Sequence, residues 1–146
     1  MILEGGTGNR KIRLGEGDLF DTESYDATGL AVLRNATDDE LRCACKGYKS
    51  NKDYKDKPHL EQHVFKKDPS PESLHKAIFD CLNRLRDKGC RTIGLLCTAA
   101  VNGSTIEGAK NALEAVRAWA QRYDRKFDQI VIVDTYGDYA KALNQL

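Results

Sequence analysis

The sequence predicts an α/β domain whose central sheet is mixed but mostly parallel and carries helices on both faces. An apolar strand, a helix and a second apolar strand follow one another over residues 91–134. This is the order of a βαβ unit, in which the two strands are parallel and the crossover is right-handed. Residues 130–133, Ile-Val-Ile-Val, are apolar and β-branched throughout, as expected of a strand that is covered on both faces.

Length and composition limit the classes of protein to be considered. At 146 residues the chain is long enough for one domain with a substantial core, so residues 1–146 are interpreted as a single domain. The net charge of +1 gives no strong attraction to nucleic acid or to an anionic membrane. No apolar run approaches the ~20 residues that span a bilayer, and the N-terminus has no secretory signal. With an odd number of cysteines, these features favour a cytoplasmic protein with free thiols.

The first half of the chain is weakly patterned. Alternating residues predict a strand over 10–14, and an apolar run predicts a second, buried strand within 26–33. The section that follows is polar and rich in lysine and aspartate. We predict a helix over residues 38–46 and an irregular loop over 47–58.

The second half is strongly patterned. Ser70 is placed to cap a helix that starts at Pro71, continues at apolar helical spacing and ends at Gly89. Ser104 and Glu107 have the spacing of a capping box at the start of the next helix. The remaining elements alternate between strand and helix, over residues 91–97, 104–123, 129–134 and 138–144.

The turn after the strand at 91–97 is the main candidate for a binding site. It consists of Thr98, Ala99, Ala100, Val101, Asn102 and Gly103. A strand, a tight turn and a helix N-terminus together aim backbone N–H groups and the positive end of a helix dipole at an anion, for which phosphate is the usual ligand. The turn matches no complete phosphate-loop signature, so an ordinary turn is the alternative.

Several motifs follow the pattern of one known family. Gly17-Asp18-Leu19 matches a Gly-Asp-(Ile/Leu) motif, and residues 26–36 are a stretched version of an Asp-Ala-Ile-Val-Asn-Ala-Ala-Asn strand. Residues 98–103 stand where that family has a Ser/Thr-x-Gly-x-x-Gly loop. In these motifs and in the order of its elements, the chain resembles the macro domain. This family is a three-layer α/β/α sandwich associated with ADP-ribose and its derivatives. The resemblance covers nearly the whole chain and is most specific from about residue 72 onward.

The resemblance implies a ligand, ADP-ribose or a related nucleotide, and contacts to its base. Asp18, beside Leu19, would accept hydrogen bonds from the adenine amino group. Tyr136, just past the last buried strand, is placed to stack on a purine ring. Both residues have ordinary alternatives, because Asp18 suits the N-cap of a helix beginning at Leu19 and Tyr136 suits a surface position.

Two asparagines are further candidates, for contacts to ribose or phosphate. Asn35 and Asn102 would hold these groups together with the rest of the 98–103 loop, although Asn102-Gly103 is also a common turn dipeptide. Ala100 replaces the first glycine of the family loop, and alanine is tolerable there only if the backbone keeps a negative φ.

Residues 37–43 depart from the pattern of hydrolytic family members, which have a glycine-rich loop in this place. We therefore predict nucleotide binding with weak or no catalysis. One alternative is an enzyme that processes ADP-ribose derivatives or removes ADP-ribose from a protein, for which Asn35, Asp38 and Asp39 are the nearby polar candidates. The other is a protein-interaction module that binds no nucleotide.

Metal and nucleophile chemistry have little support, and we expect no cofactor. His59 and His63 lack a third ligand, and Cys43-x-Cys45 lacks a matching second pair, so we predict no metal site. Cys97 ends a buried strand near the predicted pocket. A cysteine in that position is usually inert packing.

Overall fold

The computed structural model describes residues 2–3, 6–20, 25–37 and 58–145. Among these residues the strands are β1 Ile2–Leu3, β2 Ile12–Gly15, β3 Gly29–Asn35, β4 His59–Phe65, β5 Thr92–Cys97 and β6 Gln129–Val133. The α-helices are α1 Pro71–Asp87, α2 Thr105–Arg122 and α3 Asp138–Asn144, and a short 3-10 helix, Asp124–Lys126, follows α2. None of the helices in these ranges has the length and apolar character needed to cross a membrane.

The strands form a sheet in the order β1-β2-β6-β5-β3-β4. β1 is antiparallel to β2, and the other neighbouring pairs are parallel, which confirms the predicted mixed and mostly parallel sheet. β5 and β6 are parallel neighbours joined through α2, so the predicted βαβ unit is present. The five parallel strands end at one edge of the sheet, called here the carboxyl edge. The loops that follow these strands open at that edge, where ligands of open α/β sheets usually bind.

The three described helices pack on one face of the sheet, called the helical face. Alternate strand residues such as Leu33 and Leu95 point to this face and share a core with Leu82 of α1 and Trp119 of α2. A second cluster lies on the opposite face, formed by Leu19, Tyr25, Ala27, Leu30, Val32, Leu96, Val131 and Val133. The helix predicted over residues 38–46 lies outside the described residues.

Tyr25 packs on the opposite face of the sheet. Its hydroxyl donates a hydrogen bond to the carbonyl oxygen of Leu19, and its ring lies over Gly94 of β5. A Cβ at Gly94 would stand 2.5 Å from the Tyr25 hydroxyl oxygen, so glycine is required for this packing. The hydrogen bond links Leu19, which follows β2, to Tyr25 on the opposite face of the sheet.

The predicted helix ends are largely confirmed. Ser70 Oγ accepts a hydrogen bond from Ser73 N at 3.1 Å, and Gly89 has a φ of +81° just after α1. Ser104 Oγ accepts one from Glu107 N at 3.1 Å, which caps α2. The reciprocal half of the capping box is replaced, because Ser104 N donates to the carbonyl of Val101 instead.

Strand β4 was missed from the sequence because its residues are mostly polar. Glu61, on its helical face, is bound by Arg84 at 2.9 Å and by Lys88 at 2.7 Å, so the charge is paired with α1. His59 and His63 both lie on this strand. Four residues of extended chain separate them by roughly 13 Å, which is too far for the two rings to share a metal ion.

Candidate functional site

The site residues predicted from the sequence follow the carboxyl ends of four neighbouring strands. Asp18 and Leu19 follow β2, Tyr136 follows β6, the 98–103 loop follows β5, and Asn35 ends β3. Parallel pairing therefore brings these segments to the carboxyl edge. Two hydrogen bonds tie neighbouring strand ends together: Asp134 N donates to Gly15 O at 2.8 Å, and Thr98 N donates to Leu33 O at 3.0 Å.

The 98–103 loop ends in a tight turn. Its apolar residues, 99–101, are buried, whereas Asn102 and Gly103 are exposed. Val101 and Ser104 exchange two backbone hydrogen bonds of 3.0 Å around them. The φ angles of +52° at Asn102 and +75° at Gly103 are those of a type I′ turn, for which Asn-Gly is a preferred pair. The dipeptide thus shapes the loop, whatever else it contacts.

The positive φ at position 103 is the reason that glycine is favoured there. No described atom lies within 4 Å of a Cβ built on Gly103, so crowding is not the reason. Position 100 does not require glycine, because Ala100 is not among the described non-glycine residues with a positive φ, which are Asp26 and Asn102. The alanine at position 100 is therefore compatible with this backbone.

One backbone amide of the loop holds an oxyanion from the chain itself. Gly103 N donates to Asp68 Oδ2 at 3.1 Å. The loop contains no lysine or arginine, so backbone groups are its means of holding an anion. In the part of the chain that the structure describes, four amides at this turn and at the start of α2 have no acceptor, those of Ala100, Asn102, Thr105 and Ile106.

Gly108 brings the first turn of α2 against the loop. A Cβ on Gly108 would lie far inside van der Waals contact with the carbonyl oxygen of Ala99 and 2.9 Å from its carbonyl carbon. Sequence reasoning gave Gly108 no role. The available signal was a glycine in the first turn of a helix, where alanine is favoured by about 1 kcal/mol.

Asp18 makes a local hydrogen bond, but residues 19–20 form a turn, and the helix that Asp18 would cap is not among the described elements. Gly17, with a φ of +107°, turns the chain after β2, and Leu19 is buried below it. Asp18 is exposed, and its Oδ1 accepts a hydrogen bond from Phe20 N at 2.9 Å. Its Oδ2 makes no hydrogen bond to a described residue, so the carboxylate retains an oxygen directed to solvent.

Tyr136 is 56% exposed beyond β6, the neighbour of β2 in the sheet. The segment that carries it is fixed at both ends. Asp134 accepts hydrogen bonds from Tyr139 N at 3.2 Å and from Ala140 N at 3.1 Å, which caps α3. An exposed aromatic ring on an anchored loop is a suitable surface for stacking.

Cys97 is buried, and burial raises the pKa of its thiol to about 11. The thiol is therefore protonated at neutral pH, which confirms its interpretation as inert packing. The buried hydroxyl of Tyr139 donates to the Cys97 carbonyl at 3.1 Å. This bond links α3 to the end of β5, just before the loop.

The end of β3 carries two buried polar atoms, Arg34 Nε and Asn35 Oδ1, that have no hydrogen-bond partner among the described residues. Arg34 was not selected from the sequence. The catalytic candidates Asp38 and Asp39, and the pair Cys43 and Cys45, lie outside the described residues.

Two cavities lined by described residues lie away from the carboxyl edge. One cavity of about 530 Å³ is lined by residues 6–10, 12 and 13, at the opposite end of β2. Another of about 530 Å³ lies between α1 and α2, beside Phe79 and Asn111. Neither contains a predicted site residue. Within the described ranges, no group of His, Cys, Asp and Glu side chains is arranged to hold a metal ion.

Solved structures resemble this chain in fold. A macrodomain from Trypanosoma brucei in complex with ADP has a TM-score of 0.64 at 17% identity, over 92% of this chain and 68% of that chain. The same macrodomain in complex with ADP-ribose has a TM-score of 0.61 at 17% identity, over 93% and 68%. The macro domain of ganglioside induced differentiation associated protein 2 has a TM-score of 0.63 at 16% identity, over 97% and 86%.

No protein-family model matches the sequence, and neither does any curated protein. The structural likeness is therefore carried by the fold. The chain has the macro-domain fold, a mixed α/β architecture with five parallel strands, as the sequence motifs predict.

Proposed function

We propose that this chain, built on the macro-domain fold, binds ADP-ribose or a related nucleoside diphosphate at the carboxyl edge of its sheet. A fold alone does not determine a ligand, so the proposal rests on the site. The observation that carries it is the hydrogen bond from Gly103 N to the carboxylate of Asp68. In this bond a backbone amide of the 98–103 loop donates to an oxyanion, as it would to a phosphate oxygen. The unpartnered amides at the start of α2 extend this anion-accepting surface.

The order of the strands supports the assignment of ligand parts. Along the sheet, β2 and β6 present Asp18 and Tyr136, β5 presents the 98–103 loop, and β3 ends in Asn35. Base, diphosphate and distal ribose follow one another in the same order along ADP-ribose. We assign the adenine to the Asp18 and Tyr136 end, the diphosphate to the loop, and the distal ribose to the Asn35 end.

Binding without strong catalysis is the form of the proposal that the described residues favour. The Cys97 thiol is protonated at neutral pH and is buried, so it supplies no nucleophile. Asp18, the described carboxylate assigned to the ligand, is placed at the adenine end. In the fold neighbours, ADP and ADP-ribose are bound ligands. ADP-ribose attached to a protein is accordingly a second form in which this chain would meet its ligand.

A hydrolytic alternative is favoured by one observation, the unpartnered Oδ1 of Asn35. A buried amide oxygen at the ribose end is suited to orient a water molecule. Incubation with a mono-ADP-ribosylated protein, followed by quantification of released ADP-ribose, separates the two functions. Release that is abolished in Asn35→Ala supports the enzyme, and absence of release supports the binding module.

The experiment that tests the proposal is a calorimetric titration with ADP-ribose, run beside AMP and NAD. We expect one site per chain for ADP-ribose. Asp18→Ala serves as the variant with a damaged base contact, and Glu114→Ala on the exposed surface of α2 serves as its matched control. If none of the three compounds binds the parent chain, the proposal is wrong and the protein-interaction module takes its place.

A further inference from the structure

Arg34 is a buried cation with an incomplete set of partners. Its side chain occupies the penultimate position of β3 and the residue is 6% exposed. Arginine is seldom buried this deeply unless it is paired, because removing a charge from water is costly. Of its five N–H donors, Nη1 bonds to the carbonyl oxygen of Asn35 at 3.3 Å, and Nε has no acceptor among the residues that the structure describes.

No carboxylate in the described ranges pairs with Arg34. Glu61, on the neighbouring strand β4, lies on the helical face and is already bound by Arg84 and Lys88. Arg34 alternates with Leu33 and therefore belongs to the opposite face, with Val32. Its charge is thus not neutralised by the nearest acidic side chain of the sheet.

The guanidinium lies at the candidate site. Ala36 N donates to Phe65 O in β4 at 2.9 Å, and in a trans peptide the carbonyl of Asn35 must point the other way, toward β5. Since Arg34 Nη1 bonds to that carbonyl, the guanidinium is on the β5 side of the end of β3. The 98–103 loop leaves β5 at this place, where Thr98 N already bonds to β3.

We propose that Arg34 binds a phosphate group of the ligand, next to the 98–103 loop. The inference rests on the proposed function and deepens it, because it requires a ligand that is anionic between the end of β3 and the 98–103 loop. A phosphate oxygen accepts from Nε and an outer Nη atom together, in the bidentate geometry that guanidinium favours. The loop supplies neutral amide donors, and Arg34 supplies the one side-chain cation assigned to this part of the site.

The test compares a ligand that has phosphates with one that has none. ADP-ribose and adenosine are titrated by NMR, which detects weak binding, into the parent chain and into Arg34→Gln, which keeps N–H donors but removes the charge. Arg91→Gln is the matched control, because Arg91 is exposed, pairs with Asp128 at 2.8 Å and precedes β5 at the opposite edge. Arg34→Lys keeps the charge but loses the planar fork.

We expect Arg34→Gln to weaken ADP-ribose about ten- to a hundred-fold, as for loss of a charge-assisted hydrogen bond, and to leave adenosine unchanged. Arg34→Lys should weaken ADP-ribose less, and Arg91→Gln should change neither ligand. Equal weakening of both ligands, or unchanged affinity for ADP-ribose, would overturn the assignment and leave Arg34 a structural cation. The same conclusion holds if neither Arg34 variant folds with saturating ADP-ribose present. If the parent chain binds neither ligand, the proposed function itself fails.

Discussion

Gly108→Ala probes the contact on which the geometry of the site depends. In an open helix this change would stabilise the chain by about 1 kcal/mol, because alanine is the better helix former. Here the new Cβ meets the Ala99 carbonyl group and lies 3.3 Å from Ala100 Cα. These are backbone atoms, which cannot rotate away. Overpacking usually costs about 1–3 kcal/mol, and the upper end applies to rigid neighbours. We therefore expect a net loss of about 2 kcal/mol.

The assay is urea denaturation, with thermal unfolding as a second measure. A loss of about 2 kcal/mol lowers Tm by roughly 4–8 °C in a chain of this size. Ala118→Gly is the matched control, because Ala118 is exposed on the same helix and changes only the helix propensity, at a cost of about 1 kcal/mol. Gly108→Ala should thus destabilise the chain more than Ala118→Gly, although it moves propensity in the opposite direction.

The same variant should also weaken ADP-ribose, because the helix must move away from the loop to admit the methyl group. Displacement of the α2 amides relative to the 98–103 loop separates the two parts of the proposed phosphate site. A Gly108→Ala chain that is more stable than the parent and binds ADP-ribose equally well would refute both the close packing and its part in the site.

Three further predictions concern side chains at or near the sheet edges. Asp18→Ala should weaken ADP-ribose about ten-fold or more and leave ribose 5-phosphate unchanged; equal weakening of both would remove Asp18 from the base site. Asp68→Asn keeps an acceptor for Gly103 N but removes a negative charge beside the proposed phosphate site. We expect ADP-ribose to bind about two- to five-fold more tightly, as for an exposed charge interaction of roughly 0.5–1 kcal/mol, and weaker binding would contradict this. Burial lowers the pKa of His63, so the unfolded chain takes up the proton more readily and unfolding free energy falls as pH drops below 6.5. His63→Gln should lose less stability between pH 7.5 and 5.5, and an unchanged pH profile would show that other groups are responsible.

The parts of the fold that could be predicted are those with local signals. Helix α1 has a Ser70 cap and a Gly89 end, and β6 is a continuous β-branched run, so each element carries its own evidence. Strand β4 has none, because Glu61 looks like a solvent-exposed residue until α1 places Arg84 beside it. A charged residue on a packed face is a tertiary feature, and a linear pattern does not contain it.

The features of the candidate site likewise divide into those that could be predicted from the sequence and those that could not. A mostly parallel sheet could be predicted, although its strand order could not, and parallel strands bring Asp18, Asn35 and Tyr136 to one edge whatever their side chains do. The residues that sequence reasoning left without a role depend on contacts between distant segments. Asp68 accepts a hydrogen bond from the backbone amide of Gly103, which is 35 positions away. No local sequence pattern near either residue predicts that bond.

The proposed function requires that local charge, rather than net charge, holds the anion, because the chain is nearly neutral. The net charge of +1 gives no long-range attraction, so the phosphate must be held by groups within contact distance. Asp68 opposes a second anion at Gly103, while the buried guanidinium of Arg34 favours one at the neighbouring strand end. A diphosphate would therefore be drawn toward the β3 side of the loop and toward the α2 amides. On this argument the most favourable phosphate position lies between Arg34 and the start of α2, and Asp68 marks the limit of the site on its other side.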